Sequence, residues 1–280
     1  IRDPKAFRHN SWMPKFFELE NNSSDEDIAR TNQELHAIVH YLFNNSEDFS
    51  LNDVPRWGDE TRGEDLVNSL GCLGCHRIEN EPTDEVTSLQ SLRRDHGPNL
   101  VGVGAKTSRE WIYNWLKEPK RYSPETTMPN LRLSNQEAAD IAAYLMTLDG
   151  NGFKGQEVPS QNNLELDKIV LSFLLQMNSD YDSRIMLSGM EEKEKLDYTG
   201  EKLIRFYGCF GCHNISGFED EKPIGIELTE VGIKHADKLD FGLLKIEHTK
   251  LAWFTQKLLH PRSFDKDKVK TAYEKLRMPN

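Results

Sequence analysis

Cys72-Leu73-Gly74-Cys75-His76 and Cys209-Phe210-Gly211-Cys212-His213 are the two stretches that decide how this 280-residue chain is read. Aligned on them, the chain repeats. Gly63 falls on Gly200, Val67 on Ile204 and Leu70 on Tyr207, so a short helix is expected to deliver the chain to each cysteine pair. Downstream, Gly97-Pro98-Asn99-Leu100-Val101-Gly102-Val103-Gly104-Ala105-Lys106 pairs with the run from Gly225 to Lys234, and its glycines suggest an irregular loop whose backbone approaches something flat. A helix follows in each copy, marked by Trp111 before Pro119 and by Trp253 before Pro261. Each Pro is followed at plus three by an aromatic, Tyr122 or Phe264, and later by Met-Pro-Asn, beginning at Met128 or Met278.

The same phrase opens the chain, where Pro4 and Phe7 precede Met13-Pro14. After each of these two methionines a capping box is expected to start a helix: Ser134-x-x-Glu137 before Ile141, Tyr144 and Leu145, and Thr31-x-x-Glu34 before Ile38, Tyr41 and Leu42. The repeat therefore predicts the back end of one domain at 1–50, a complete domain at 55–150, and a third at 196–280 that stops before its final helix. The chain is thus expected to start and stop inside the repeat. Between the second and third copies lies a polar linker from Gly150 to Asn163, and 151–195 as a whole is expected to be a linker with a helical hairpin, Leu164 to Leu187 having helical spacing.

A c-type haem needs two thiols to add to its vinyl groups and an imidazole beneath the iron, and Cys-x-x-Cys-His supplies all three within a turn and a half of helix. All four cysteines of the chain are used in this way. A zinc site would want its second cysteine pair within roughly 20 residues, or a matching His pair. Here Cys75 and Cys209 are 134 residues apart. A redox disulfide would prefer a strand-to-helix context, which the all-helical pattern lacks. The sixth iron ligand has to come from elsewhere, and Met128 and Met278 are the candidates, with Met13 the equivalent for a haem whose attachment motif is outside this chain. A methionine filling a gap in the core is the plain alternative. His235, His248 and His260 lie inside the third copy as rivals to Met278. Pro98 is expected on the haem edge beside His76, and Ile226 replaces it in the third copy. Trp111, Trp115, Trp253, Tyr122 and Phe264 either line the pockets or pack the core. Lys120 and Arg262 could pair with propionates but are more simply solvated, as His9, His36, His40 and His96 are more simply surface or capping residues.

Composition narrows the classes. Only 37% of residues are hydrophobic and 29% are charged, a thin apolar supply that a large buried cofactor would supplement. No run approaches the ~18 apolar residues of a membrane span. The chain opens on Ile1-Arg2-Asp3-Pro4 without the apolar core of a signal peptide, so any export signal is expected to have been removed or left out. A net charge of -11 argues against nucleic acid and for docking on a basic patch of another protein.

Helix, Cys-x-x-Cys-His, Gly-Pro-Asn-Leu, Trp-x-x-x-Trp-Leu, Met-Pro and a closing Ala/Ile/Tyr/Leu helix together resemble a class I cytochrome c domain. The resemblance covers nearly the whole chain outside 150–195. The tandem arrangement looks like a multi-haem, specifically tri-haem, c-type cytochrome subunit of a bacterial respiratory complex. The resemblance implies an all-α fold of tandem class I cytochrome c domains joined by a helical linker. It implies two covalent haems c in this chain and a third near Met13. His76 and His213 would be proximal ligands, Met128 and Met278 distal ligands, and Cys72, Cys75, Cys209 and Cys212 thioether links. Two things depart from the family: the first copy has no haem motif, and the third lacks a closing helix and the loop proline. Iron held by His and Met has no open position, so one-electron transfer is expected and not enzymatic turnover of a small-molecule substrate. The expected partners are other redox proteins or subunits of a membrane respiratory complex. Haem attachment in this family places the protein in the periplasm or on the outer face of the bacterial cytoplasmic membrane. The rival readings are a di-haem peroxidase-like enzyme or a haem sensor with an open sixth position in the third copy.

Overall fold

The computed structural model describes residues 1–8, 11–46, 50–55, 57–78, 96–150 and 157–279. Among these residues there is no strand, and the fold is all-α. The longer helices are α1 (Asp25–Asn44), α2 (Glu60–Ser69), α3 (Arg109–Lys117), α4 (Asn135–Thr147), α5 (Asn163–Leu174), α6 (Asp180–Gly189), α7 (Glu192–Tyr207) and α8 (Lys250–Leu259). They are joined by single helical turns and irregular loops. No helix is long and apolar enough to cross a membrane among the described residues. The chain forms two compact units: a central one from Lys5–Ser11 and Asp48–Val158, and a flanking one from Ile1–Pro4, Trp12–Glu47 and Pro159–Asn280.

The central unit is built on the crossing of α2 and α4. A Cβ at Gly63 would overlap the Asp140 carbonyl and the Tyr144 side chain, so glycine lets the two backbones touch. Ala138, Ala139 and Ala142 keep the facing side of α4 low, and Ile141, Leu145, Val67, Ile112, Tyr113 and Leu116 fill the space around it. The start of α4 follows its sequence signal. Ser134 Oγ accepts from the Glu137 amide at 3.2 Å, and the Glu137 carboxylate accepts from the Ser134 amide at 2.8 Å.

The flanking unit repeats this crossing with α1 and α7. Gly200 of α7 meets the Ala37 carbonyl and Tyr41 of α1 as Gly63 meets Asp140 and Tyr144. Residues assigned by the repeat to 1–50 thus pack in one unit with residues of 196–280, and α1 stands on α7 where the closing helix α4 stands on α2. The α5 helix packs against both, burying Leu166, Ile169, Val170 and Phe173 with Ala37, Ile38, Leu203 and Ile204. The expected hairpin exists as α5 and α6, but α5 is part of this core and not a spacer. Residues 151–156 of the expected linker lie outside the described residues, as does His9.

One expectation is overturned here. Thr31 and Glu34 do not cap α1; they sit in its interior and are buried. The helix starts about two turns earlier at Ser24, whose side chain accepts from the Asp27 amide. Glu34 is instead gripped by the Tyr207 hydroxyl at 2.6 Å and the Tyr273 hydroxyl at 3.1 Å.

Candidate functional site

Each cysteine motif follows its helix through a left-handed glycine, Gly71 at φ 83° and Gly208 at φ 71°, a conformation that an L side chain would strain. A 3-10 turn follows, at Cys72–Gly74 and Cys209–Gly211. In the first, the Gly74 amide donates to Gly71 at 3.0 Å, Cys75 to Cys72 at 3.1 Å, and His76 to Cys72 at 2.9 Å. In the second, the same bonds are 3.0, 3.2 and 3.0 Å. Two segments of different sequence are folded to one geometry, with both thiols and the imidazole on a single turn. Burial pushes the Cys72 and Cys209 thiols up. A redox-active dithiol needs the opposite shift.

In the central unit the motif opens on a cavity of about 860 Å³, within the roughly 300–1,000 Å³ range of small-molecule and cofactor sites. Cys72, Cys75, His76, Pro98 and Met128 all line it, with apolar walls from Val67, Leu100, Val103, Ile112, Leu116, Ile141 and Leu145. His76 Nδ1 donates to the Pro98 carbonyl at 2.8 Å, which leaves Nε2 as the unprotonated nitrogen able to bind a metal. A Cβ at Gly97 would come within 2.5 Å of the imidazole, so the loop presses on the ring. Pro98 lines the cavity and holds the imidazole through its carbonyl, a contact that no side-chain pattern could announce.

Facing the motif, Met128 sits in a braced loop. Lys117 Nζ donates to the Leu133 carbonyl at 2.6 Å and Asn130 to the Lys117 carbonyl at 3.1 Å. Trp115 Nε1 donates to Met128 Sδ at 2.9 Å. Trp111 lies beside Trp115, ring centroids 5.9 Å apart, and edge-on to Tyr122 at 5.0 Å. Both tryptophans line the cavity, and so do Phe7, which the repeat had assigned to the first copy, and Arg8, which the sequence reading did not assign. Lys106 Nζ stands 5.3 Å from the Phe7 ring. His96, read as a surface residue, is exposed and also lines the cavity. Asn114 was unassigned too; it accepts from the Asn52 amide at 2.8 Å and from the Tyr122 hydroxyl at 3.3 Å, fastening the Asn52 segment to α3.

The flanking motif is surrounded differently. Cys209 and Phe210 pack on the unit's core, and Phe210 stacks on Phe218, centroids 6.2 Å apart. Ile226, standing where Pro98 stands, is 83% exposed. Trp253 Nε1 donates to the Asp240 carbonyl at 2.9 Å, and the ring lies 5.6 Å from buried Phe264. Arg262 is not solvated: it is buried, with Nε donating to the Met278 carbonyl at 3.3 Å and its terminal nitrogens donating to Asn21 at 2.9 Å and the Phe16 carbonyl at 3.1 Å. The lead-in to α1, which carries half-buried Met13, and the segment that carries Met278 are held side by side by this one guanidinium. His248 stacks on Phe241 at 4.4 Å, His36 bonds the Pro159 carbonyl, and His40 lies 3.1 Å from Asp197. Lys120 is exposed. Among the described residues no three His, Cys, Asp or Glu side chains gather to hold a metal ion by themselves.

The donors of the central unit fit a flat prosthetic group attached through two thiols: two cysteines and an imidazole on one turn, a thioether in the lining of the same apolar cavity, and glycine where the loop presses against the imidazole. Compared with known families, residues 60–149 match the Cytochrome c family model. No curated protein and no solved structure matches the chain significantly. Residues 60–149 are a class I cytochrome c domain, a module that binds haem c covalently and transfers electrons.

Proposed function

We propose that this chain is a two-haem electron carrier, with haem c attached at Cys72 and Cys75 in the central unit and at Cys209 and Cys212 in the flanking unit. The identical bonding of the two cysteine turns carries the reading: what is a haem-attachment turn in the matched domain recurs at Cys209–His213. Bound there, haem supplies a one-electron couple at iron. His76, its tautomer held by the Pro98 carbonyl, and Met128 would be the residues that hold the iron. A thioether opposite imidazole favours the ferrous state. In the flanking unit His213 is the proximal ligand and Met278 the distal one, with Met13 its competitor because Arg262 ties the two segments together. With both faces of iron taken, the chain passes single electrons and has no place for a substrate. Its net charge of -11 suits docking on basic surfaces of other redox proteins or of a membrane respiratory complex. Covalent haem attachment in the matched family supports a site in the periplasm or on the outer face of the cytoplasmic membrane.

The test is the haem content per chain and the optical spectrum of the reduced protein with and without carbon monoxide, which binds only an open or weakly held sixth position. Two haems and no response to the gas are expected. One haem per chain would remove the flanking site from the proposal. Gas binding at one haem would replace the carrier reading with a peroxidase-like or sensing one.

A further inference from the structure

Inside the flanking unit, the buried carboxylate of Glu34 is met by two hydroxyls: Tyr207 donates at 2.6 Å and Tyr273 at 3.1 Å. Aromatic rings close the surroundings. Phe16, Phe17 and Phe206 pack on Tyr207 with centroids 5.5, 5.0 and 5.1 Å away, and Phe173 and Phe206 pack on Tyr273 at 4.6 and 5.0 Å. The charged groups around the carboxyl are engaged elsewhere. On α1, Asp27 accepts from Lys275 at 2.8 Å, and Arg30 acts on Glu34 by charge alone. Arg262 donates to Asn21 and to main-chain carbonyls, Asp265 accepts from Lys270 at 2.6 Å, and Arg277 donates to the Phe206 carbonyl. From α5 the Ser172 hydroxyl bonds Tyr273. Burial, the largest effect, pushes the Glu34 carboxyl up to about 7, so both of its protonation states lie within reach of ordinary solution. A cavity of about 30 Å³ adjoins it, lined also by Tyr207, Asp27, Arg30 and Lys275. That is room for water, which needs roughly 10–15 Å³. Arg30 and Lys275 are half-exposed, so this water has a way to the surface.

One residue joins this pocket to the cysteine turn. Tyr207 ends α7, left-handed Gly208 follows, and Cys209 comes next, so the hydroxyl that grips Glu34 and the thiol that would carry haem belong to adjoining turns. We propose that Glu34 is a proton acceptor coupled to the flanking haem, taking one proton from solvent through this pocket when that haem is reduced and returning it on oxidation. This inference rests on the reading of Cys209 and Cys212 as a haem-attachment turn. One electron arrives at iron from a partner redox protein, one proton arrives at a Glu34 carboxylate oxygen from water, and the O–H bond is the only bond formed. The coupling is electrostatic. Reduction lowers the charge at the haem by one, and among buried rings that change is screened less than in water, which favours the neutral carboxylic acid. The central unit is built otherwise. By the repeat, Glu137 stands where Glu34 stands and Leu70 where Tyr207 stands. Glu137 caps α4, and its bonds with Ser134 hold it below the ordinary carboxylate value. The flanking unit therefore moves a proton with its electron, and the central unit moves an electron without one at this position.

Redox titration of the full chain at a series of pH values from about 5.5 to about 8.5 tests it. The expected result is one haem whose midpoint potential falls as pH rises and a second whose potential changes much less, because a reduction that takes up a proton is favoured in acid. Glu34→Gln keeps the volume and an acceptor oxygen; it is expected to abolish the fall, and a fall that survives it overturns the inference. Tyr207→Phe removes a bond that favours the charged carboxylate, so the fall is expected to move to higher pH, and a shift to lower pH speaks against Glu34. If the variants do not assemble, the infrared difference between the reduced and oxidised wild-type protein decides. A carboxylic acid C=O stretch that appears on reduction and moves with isotope label in glutamate is expected; its absence sinks the coupling. The mass of the peptide carrying Cys209 and Cys212 separates the two claims. Haem attached there with potentials that do not vary with pH overturns the proton coupling alone, whereas no haem there overturns the attachment reading and the coupling with it.

Discussion

Glu34 is a carboxyl group with almost no contact with water. Burial pushes its pKa from 4.5 up to about 7, against the opposing bonds from Tyr207 and Tyr273 and the nearby Arg30 charge, while Asp27 adds to the rise. The unfolded chain gives up this proton at the ordinary carboxylate value and the folded chain keeps it until about pH 7, so between those values the native state binds more protons. Stability contributed by Glu34 is full below about pH 4.5 and is lost as pH rises through about 7. Asp27 works the other way at lower pH. Burial alone would raise it, but bonds from Lys275 and Ser24 prevail and hold it below its ordinary value. Chemical denaturation of the flanking unit at a series of pH values is expected to show stability falling from pH 5 to pH 7.5, and Glu34→Gln to flatten that slope. A slope unaffected by the substitution would mean that Glu34 is ionised throughout. From sequence, Thr31 and Glu34 read as a capping box; the pattern was present but its partners, Tyr207 and Tyr273, are more than 170 residues away along the chain.

Helix crossings decide what each motif rests on. Gly63 and Gly200 admit α4 and α1 to touching distance, and a side chain at either place must push a helix off its seat. Gly63→Val is expected to lower the stability of the central unit by about 3 kcal/mol or more, and Gly200→Val that of the flanking unit, in line with overpacking and forced backbone shifts in tight cores. Separate unfolding transitions, followed by the Trp signals of each unit, would check this; equal effects of both substitutions on one transition would show that the units do not respond independently. Much of this level was legible. Helices before both cysteine pairs, the Ser134 cap and the Trp111/Trp115 face of α3 are local patterns that packing then obeyed. What could not be read was pairing: the repeat likened α1 to α4 but assigned it to a first copy, and only the Gly200-to-Tyr41 contact, matching Gly63-to-Tyr144, reveals that it is α7 that α1 covers. Arg262 was misjudged for the same reason, since its four carbonyl and amide partners come from Asn21, Phe16, Arg277 and Met278.

At the scale of the whole chain, charge governs encounters. With a net charge of -11 before any propionates are counted, oxidation of the reduced protein by a small cationic metal complex is expected to slow as salt rises from 10 to 300 mM, and by an anionic complex to quicken. Stopped-flow rates at several ionic strengths measure both, and rates independent of salt would place the haem edges away from the acidic surface.

Connectivity has its own consequence. The two long segments of the flanking unit, Trp12–Glu47 and Pro159–Asn280, lie in sequence on either side of Asp48–Val158 of the central one, and Asn21 bonds Asp265 across 244 positions of sequence. In the chain α1 precedes most of the central unit and α7 and the Met278 segment follow it, so α1 meets its partners only across the whole of that unit's sequence. Contacts this distant carry a large loop-closure cost and form late, whereas the central unit can close as soon as α4 has been made. Order of assembly is thus written into the order of the chain: the Cys72 turn finds its surroundings within one stretch of sequence, whereas those of the Cys209 turn are complete only when segments from both sides of the central unit have met.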